Sequence, residues 1–187
     1  MSVGTFIAVA IAILAIAVAG WAVLRNRNTT HLKSKFGPEY DAVVQREGDQ
    51  SRAEAELAKR ENRVKKFNLR ELSPPERSRF AESWTKEQSR FVDDPKTAVL
   101  NADALVIELM TARGYPMSDF QTLAADISVD HPQVVRDYRE AHEIAERCRS
   151  NNADTEDLRR SMVYYRALFD QLLGATPMVR QHEEVTK

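Results

Sequence analysis

The first 24 residues carry no charge, and Phe6–Leu24 is apolar except for Gly20 and the indole nitrogen of Trp21. At about 1.5 Å rise per residue, a helix over this run spans roughly 28 Å, close to the hydrocarbon thickness of a bilayer. The run ends abruptly at Arg25 and Arg27, and everything after it is polar and highly charged. A chain of this kind is expected to fold as one transmembrane helix, then a charged linker helix and a compact all-α bundle. The expected divisions are a short N-terminal tail over 1–5, a transmembrane helix over 6–24 and a basic juxtamembrane segment with a charged helix over 25–72. A helical bundle over 73–174 and a disordered tail over 175–187 follow.

Two readings compete for the apolar run, a retained anchor and a cleaved signal peptide. A signal peptide carries a basic stretch ahead of its apolar core, and Met-Ser-Val-Gly-Thr before Phe6 has no Lys or Arg. Ala17-Val18-Ala19 does fit a small-x-small cleavage site, yet the apolar run continues past it through Leu24. Arg25, Arg27, Lys33 and Lys35 then precede the first acid, Glu39. Positive charge on the C-terminal flank alone favours an N-terminus outside and the following domain in the cytoplasm. Trp21, Arg25, Arg27, Lys33 and Lys35 are therefore the expected membrane-interface residues, with Trp21 at headgroup level. Ala8/Ala12 and Ala15/Ala19 have the spacing that lets helices approach closely, although an Ala-rich segment produces such pairs by chance.

Net charge divides along the chain. Residues 25–90 are net +5 and residues 91–187 net −6, so the basic half lies next to the anchor, as an anionic leaflet would favour. Nucleic-acid binding is not expected, because Glu interleaves the basic stretch throughout. Cys148 is the only cysteine, which rules out a disulfide within the chain. It follows Ile144 by four residues and reads as a buried thiol.

Apolar residues beyond the linker recur at three- and four-residue spacing, the helical period. Ser73-Pro74-Pro75-Glu76 has the form of a capping box, and Phe80, Trp84, Gln88 and Phe91 then share one face, on which Phe80, Trp84 and Phe91 read as core, with a ligand pocket as the alternative. Asp94 caps a helix with Val99, Ala102, Val106, Leu109 and Met110 on its apolar side, closed by Arg113-Gly114. Ser118 is the expected cap of a short helix bearing Phe120, Leu123, Ala124 and Ile127. Asp130-His131-Pro132 breaks the chain, and Val134, Val135, Tyr138, Ala141 and Ala145 continue the stripe. After a loop over 150–154, Asp154 or Thr155 caps a last helix with Leu158, Met162, Tyr165, Phe169 and Leu172, ending at Gly174. The stretch Ser51–Lys66 is dense in charge, with Ala53, Leu57, Val64 and Phe67 as a narrow seam. It reads as a solvated spacer or a short coiled coil.

No catalytic, cofactor or metal signature stands out. His142-Glu143 with Glu146 lacks the second histidine of a zinc-protease helix and reads as a surface pair. Asp93-Asp94 suggests paired carboxylates, but Asp94 before Pro95 is better explained as a cap. Nucleophile elbows and phosphate-cradling loops are missing. The Arg113-Gly114-Tyr115-Pro116 corner, with Tyr115 packing down, and the Asp130-His131 corner are the places where an interaction face is expected. Arg113, Tyr115, Asp130 and His131 are its candidate residues.

Several segments together resemble a family of uncharacterised bacterial single-pass membrane proteins. They are Lys35-Phe36-Gly37-Pro38-Glu39-Tyr40-Asp41, Arg90-Phe91-Val92-Asp93-Asp94-Pro95, Arg113-Gly114-Tyr115-Pro116 and Ser128-Val129-Asp130-His131-Pro132. Tyr138-Arg139-Glu140-Ala141-His142 and Tyr165-Arg166-Ala167-Leu168-Phe169 complete the set. The resemblance implies membrane attachment and a helical domain, and transfers no functional residue. The expected function is a non-enzymatic interaction or scaffold domain at the cytoplasmic membrane face. Its partners would be the lipid bilayer and an unidentified protein, which includes a second copy of the chain. An exported helical domain with an envelope role, or an enzyme with an unrecognised site, is the alternative.

Overall fold

The computed structural model describes the backbone of residues 3–174, and within the first helix it leaves the side chains of residues 3–13, Ala17 and Trp21 undescribed. The tail expected over 175–187 and the interface position of the Trp21 ring therefore lie outside the described residues. Among those residues the protein is all-helical. Its eight helices are α1 (Val3–Phe36), α2 (Pro38–Glu47), α3 (Gln50–Val64), α4 (Pro74–Arg90), α5 (Pro95–Ala112), α6 (Phe120–Asp130), α7 (Val135–Arg149) and α8 (Thr155–Leu173). No helix among the described residues is long and apolar enough to cross a membrane. Much of the Phe6–Leu24 run falls in the undescribed side chains.

The chain divides into two compact units, residues 1–59 and 60–187, and the division falls inside α3. In the first unit α1 continues unbroken through the basic stretch to Phe36. Leu32, Phe36, Tyr40, Val43, Ala53 and Leu57 are buried. Fixed among them is one carboxylate: Glu54 Oε1 accepts from Thr29 Oγ1 at 2.8 Å, Gln50 Nε2 at 2.8 Å and Tyr40 Oη at 2.9 Å. Burial pushes this carboxyl up, but the three donors outweigh it and hold the group below the usual carboxylate range. Burial, and then Glu54 itself, push the Tyr40 phenol up to about 12.

That arrangement corrects the reading of 51–66 as a solvated spacer. Of the expected seam, Ala53, Leu57 and Val64 are buried and Phe67, beyond the end of α3, is half-buried, but Glu54, Arg60 and Glu61 are buried as well. Buried charge is tolerated only when it is paired. Glu54 has its three donors, Arg60 Nη1 donates to Ser128 Oγ at 3.3 Å, and Lys65 pairs with Glu61 at 3.0 Å.

In the second unit α5 is central, packing against α4, α7 and α8, while α7 also packs against α6 and α8. The capping box at Ser73 is present, with Ser73 N and Oγ both donating to Glu76 Oε2. Asp94 accepts from Thr97 N at the start of α5, and Asp154 from Asp157 N at the start of α8. One cap differs from expectation. Asp119, not Ser118, opens α6, its carboxylate accepting from Thr122 N at 3.0 Å. Carboxylate and hydroxyl are both good caps, and the carboxylate also favours the positive end of the helix dipole.

The core joins Phe80, Val106, Leu109, Ile127, Ile144, Leu168 and Phe169. Each such side chain contributes roughly 1.5–3 kcal/mol on burial. Trp84 stacks on Phe169 with ring centroids 4.7 Å apart. The stripe expected on α4 splits: Phe80 and Trp84 are buried, Phe91 is half-buried and Gln88 is exposed, while Glu87 is buried instead. Glu87 can be buried because Asn101 Nδ2 donates to it at 2.9 Å and Arg90 pairs with it at 3.1 Å.

Candidate functional site

Two polar clusters lie among the described residues of the second unit. The first is organised by Asp103, which sits on α5 between Ala102 and Val106 and is 2% exposed. Its Oδ1 accepts from Tyr165 Oη at 2.8 Å and contacts His142 Nδ1 at 3.1 Å, and its Oδ2 accepts from Arg149 Nη2 at 2.8 Å. Burial raises this carboxyl, but His142, Arg149 and Tyr165 together hold it below the usual range. The group is therefore an ionised acceptor, which makes His142 Nδ1 the donor. The imidazole is further fixed by stacking on Phe120, centroids 3.6 Å apart with planes 11° from parallel.

The two tyrosines of this cluster are strongly perturbed. Burial, then the charge of Asp103, push the Tyr165 phenol far above its ordinary value. The Tyr138 phenol rises for the same two reasons, and its hydroxyl has no hydrogen-bond partner among the described residues. A carboxylate on Nδ1 of an imidazole is the orienting half of a general-base pair. Here Nε2 faces Glu146 Oε1 at 3.7 Å, and Glu146 is itself engaged by Arg149. Apart from the Tyr138 hydroxyl, the donors and acceptors of the cluster are turned on one another, as in a structural network. No group of three His, Cys, Asp or Glu side chains among the described residues is placed to hold a metal ion.

His142 and Glu146 are thus not the isolated surface pair expected from the sequence. The imidazole side chain is 17% exposed, and its shorter contact is Asp103, 39 residues away. Asp103, Arg149 and the Tyr165 hydroxyl were not singled out by sequence reasoning. The available signal was a lone carboxylate within the apolar stripe of α5.

The second cluster contains the expected corner residues. Tyr115 is buried and its hydroxyl donates to Asp130 Oδ2 at 2.9 Å, while Phe67 meets its ring edge-on at 6.3 Å. Burial and Asp130 push the phenol up. His131 closes α6, its backbone N donating to Ile127 O at 2.8 Å. Its Nδ1 lies 2.8 Å from Gln171 Oε1, an acceptor, so Nδ1 carries the proton. Burial holds this imidazole below its ordinary value, against the pull of the Gln171 bond and Asp130. Arg113 is half-buried, and its Nε has no hydrogen-bond partner among the described residues. The structure therefore brings Tyr115 to Asp130 and directs His131 to α8.

Backbone geometry closes this corner. Gly114 has φ +96°, and a Cβ there would lie 2.4 Å from Asn68 O. Only glycine fits such a conformation at that approach. Arg70 N donates to Arg113 O at 2.9 Å alongside it. Next to the corner, Arg63 clamps buried Asp126 with contacts of 2.6 and 2.5 Å.

The basic residues expected at a membrane interface all lie on α1. Arg25, Arg27 and Lys33 are exposed and Lys35 is half-buried, with Lys33 Nζ 5.4 Å above the Tyr40 ring. Cys148 is buried, and burial pushes its thiol up. Comparison with family models, curated proteins and solved structures found no match to this chain.

Proposed function

We propose that the chain is a membrane-anchored, non-enzymatic helical protein that works through protein contacts at the cytoplasmic face. The observation that carries this reading is the continuity of α1. One helix runs from the apolar segment through Arg25 and Arg27 to Leu32 and Phe36, which are buried in the first unit. A helix inserted at its apolar end would hold that unit against the bilayer surface without a flexible joint. The four cations on its C-terminal flank favour the cytoplasmic side, and the resemblance to single-pass membrane proteins points the same way. Contacts rather than catalysis are supported by the Asp103 network, in which the carboxylate is committed to three donors of its own chain.

Alkaline carbonate extraction of membranes expressing the full chain tests the anchor. The chain is expected to stay with the membrane, and Leu14→Arg, near the middle of the run, to release a large fraction of it. An arginine at that depth costs roughly 2.5–3.5 kcal/mol. A wild-type chain found in the soluble fraction would overturn the reading. A mature chain beginning near Gly20 would replace it with an exported helical domain.

A further inference from the structure

Between α4 and α8 lies an open cleft of about 180 Å³. Trp84 and Gln88 line it from α4 and Phe91 from the cap that ends that helix, at i, i+4 and i+7; Arg159, Met162, Val163 and Arg166 line it from α8, at i, i+3, i+4 and i+7. Each helix therefore gives one continuous stripe to the cleft. Trp84 and Met162 form a nearly buried apolar floor, while Val163, 53% exposed, leaves its side chain open to solvent.

The rim is cationic. Arg159 and Arg166 lie two turns apart, about 10 Å along α8, and bracket Met162 and Val163. Arg159 also pairs with Glu156 and Arg166 with Asp170, each about a turn beyond the stripe. No carboxylate lines the cleft itself.

We propose that the α4–α8 cleft docks a helical segment of a partner protein, through one apolar side chain flanked by carboxylates about one turn to either side. This rests on the interaction-domain reading above and gives it a surface and a partner chemistry. The volume suits a single anchor, because a cavity of about 150 Å³ holds a benzene ring and pockets for drug-sized ligands start near 300 Å³. Charge complementarity sets the flanks: acids seven residues apart on an incoming helix match the spacing of Arg159 and Arg166. An apolar anchor with this periodicity is the helix-in-groove mode of recognition.

The test uses the full chain in detergent micelles with Trp21→Phe, which leaves Trp84 as the single indole. The probe is a dye-labelled helical peptide with one central Phe, Glu three residues before it and Glu four residues after it. A second peptide carries Lys at both flanks. The acidic peptide is expected to bind saturably, shift Trp84 emission and bind at least about tenfold more tightly than the Lys peptide, with an affinity that falls as salt rises. The double variant Arg159→Glu/Arg166→Glu should reverse the order of the two peptides. Both arginines are more than half exposed, so the reversal leaves the helical circular dichroism intact.

Equal binding of the two peptides, or no saturable binding up to about millimolar peptide, would overturn the proposal. So would self-association that Val163→Glu abolishes, because the occupant would then be a second copy. Flotation of the same protein with lipid vesicles reads the anchor separately. Peptide binding lost with flotation retained sinks the cleft alone, and flotation lost with peptide binding retained sinks the anchored reading alone.

Discussion

Tyr165 Oη donates a 2.8 Å hydrogen bond to Asp103 Oδ1, joining α8 to α5 inside the core, where both residues are almost fully buried. Removing the carboxylate would strand the buried Tyr165 hydroxyl and the mostly buried His142 Nδ1, while Arg149, 43% exposed, would keep only its pairing with Glu146. Asp103→Ala is therefore expected to destabilise the helical unit by about 3 kcal/mol, the cost of breaking a buried charge network. Tyr165→Phe, which removes one donor and keeps the ring, should cost about 1 kcal/mol. Urea midpoints of the two variants check the ordering, and equal losses would contradict it.

Gly114 gives a prediction that depends on backbone alone. A methyl group at this position meets the Asn68 carbonyl at 2.4 Å, and φ is +96°, so alanine must move backbone on one side or the other. Gly114→Ala is expected to cost about 2 kcal/mol or more. At the exposed Gly48 a methyl group would meet nothing within 4 Å. The same change there should cost less, because only the torsional strain applies. Thermal melts of the two variants side by side measure the difference.

His131 makes stability depend on pH in a defined direction. Its folded-state pKa lies below the ordinary value of about 6.5. The unfolded chain therefore takes up the proton first as pH falls, and stability drops below about pH 6.5. His131→Asn, which removes the titrating ring and keeps a short donor toward Gln171, should flatten the urea midpoint between pH 7 and 5. An unchanged slope in that variant would remove His131 as the cause.

Cys148 should be inert in the native state. The thiol is 4% exposed with its pKa pushed up by burial, and the thiolate is the reactive form. A thiol reagent is expected to label it slowly at neutral pH and quickly in urea. Rapid labelling of the folded protein would show that α7 opens locally.

Helix punctuation was legible in the sequence because it is local. Ser73 with Glu76, Asp94 before Pro95, and Gly174 each act on groups within about a turn. Choosing Asp119 over Ser118 was not legible, since adjacent residues can both cap and the chain's entry angle decides. The Asp103 site was hidden for a different reason. Its partners stand 39, 46 and 62 residues away, and nothing in the local pattern around His142 or Arg149 points to α5. The α4 stripe shows a third limit, because periodicity groups Trp84, Gln88 and Phe91 on one face without saying whether that face is core or cleft. Charge density likewise misled at α3, where Arg60 and Glu54 are buried against specific partners.

Protease accessibility of a tag placed after Lys187, in cells stripped of their outer layer, tests the anchored, cytoplasm-facing account most directly when chain length is read in the same experiment. The account predicts a protected tag on a full-length chain that becomes digestible only once the membrane is opened. A tag digested in intact cells, on a full-length or a shortened chain, would place the helical domain outside and contradict it.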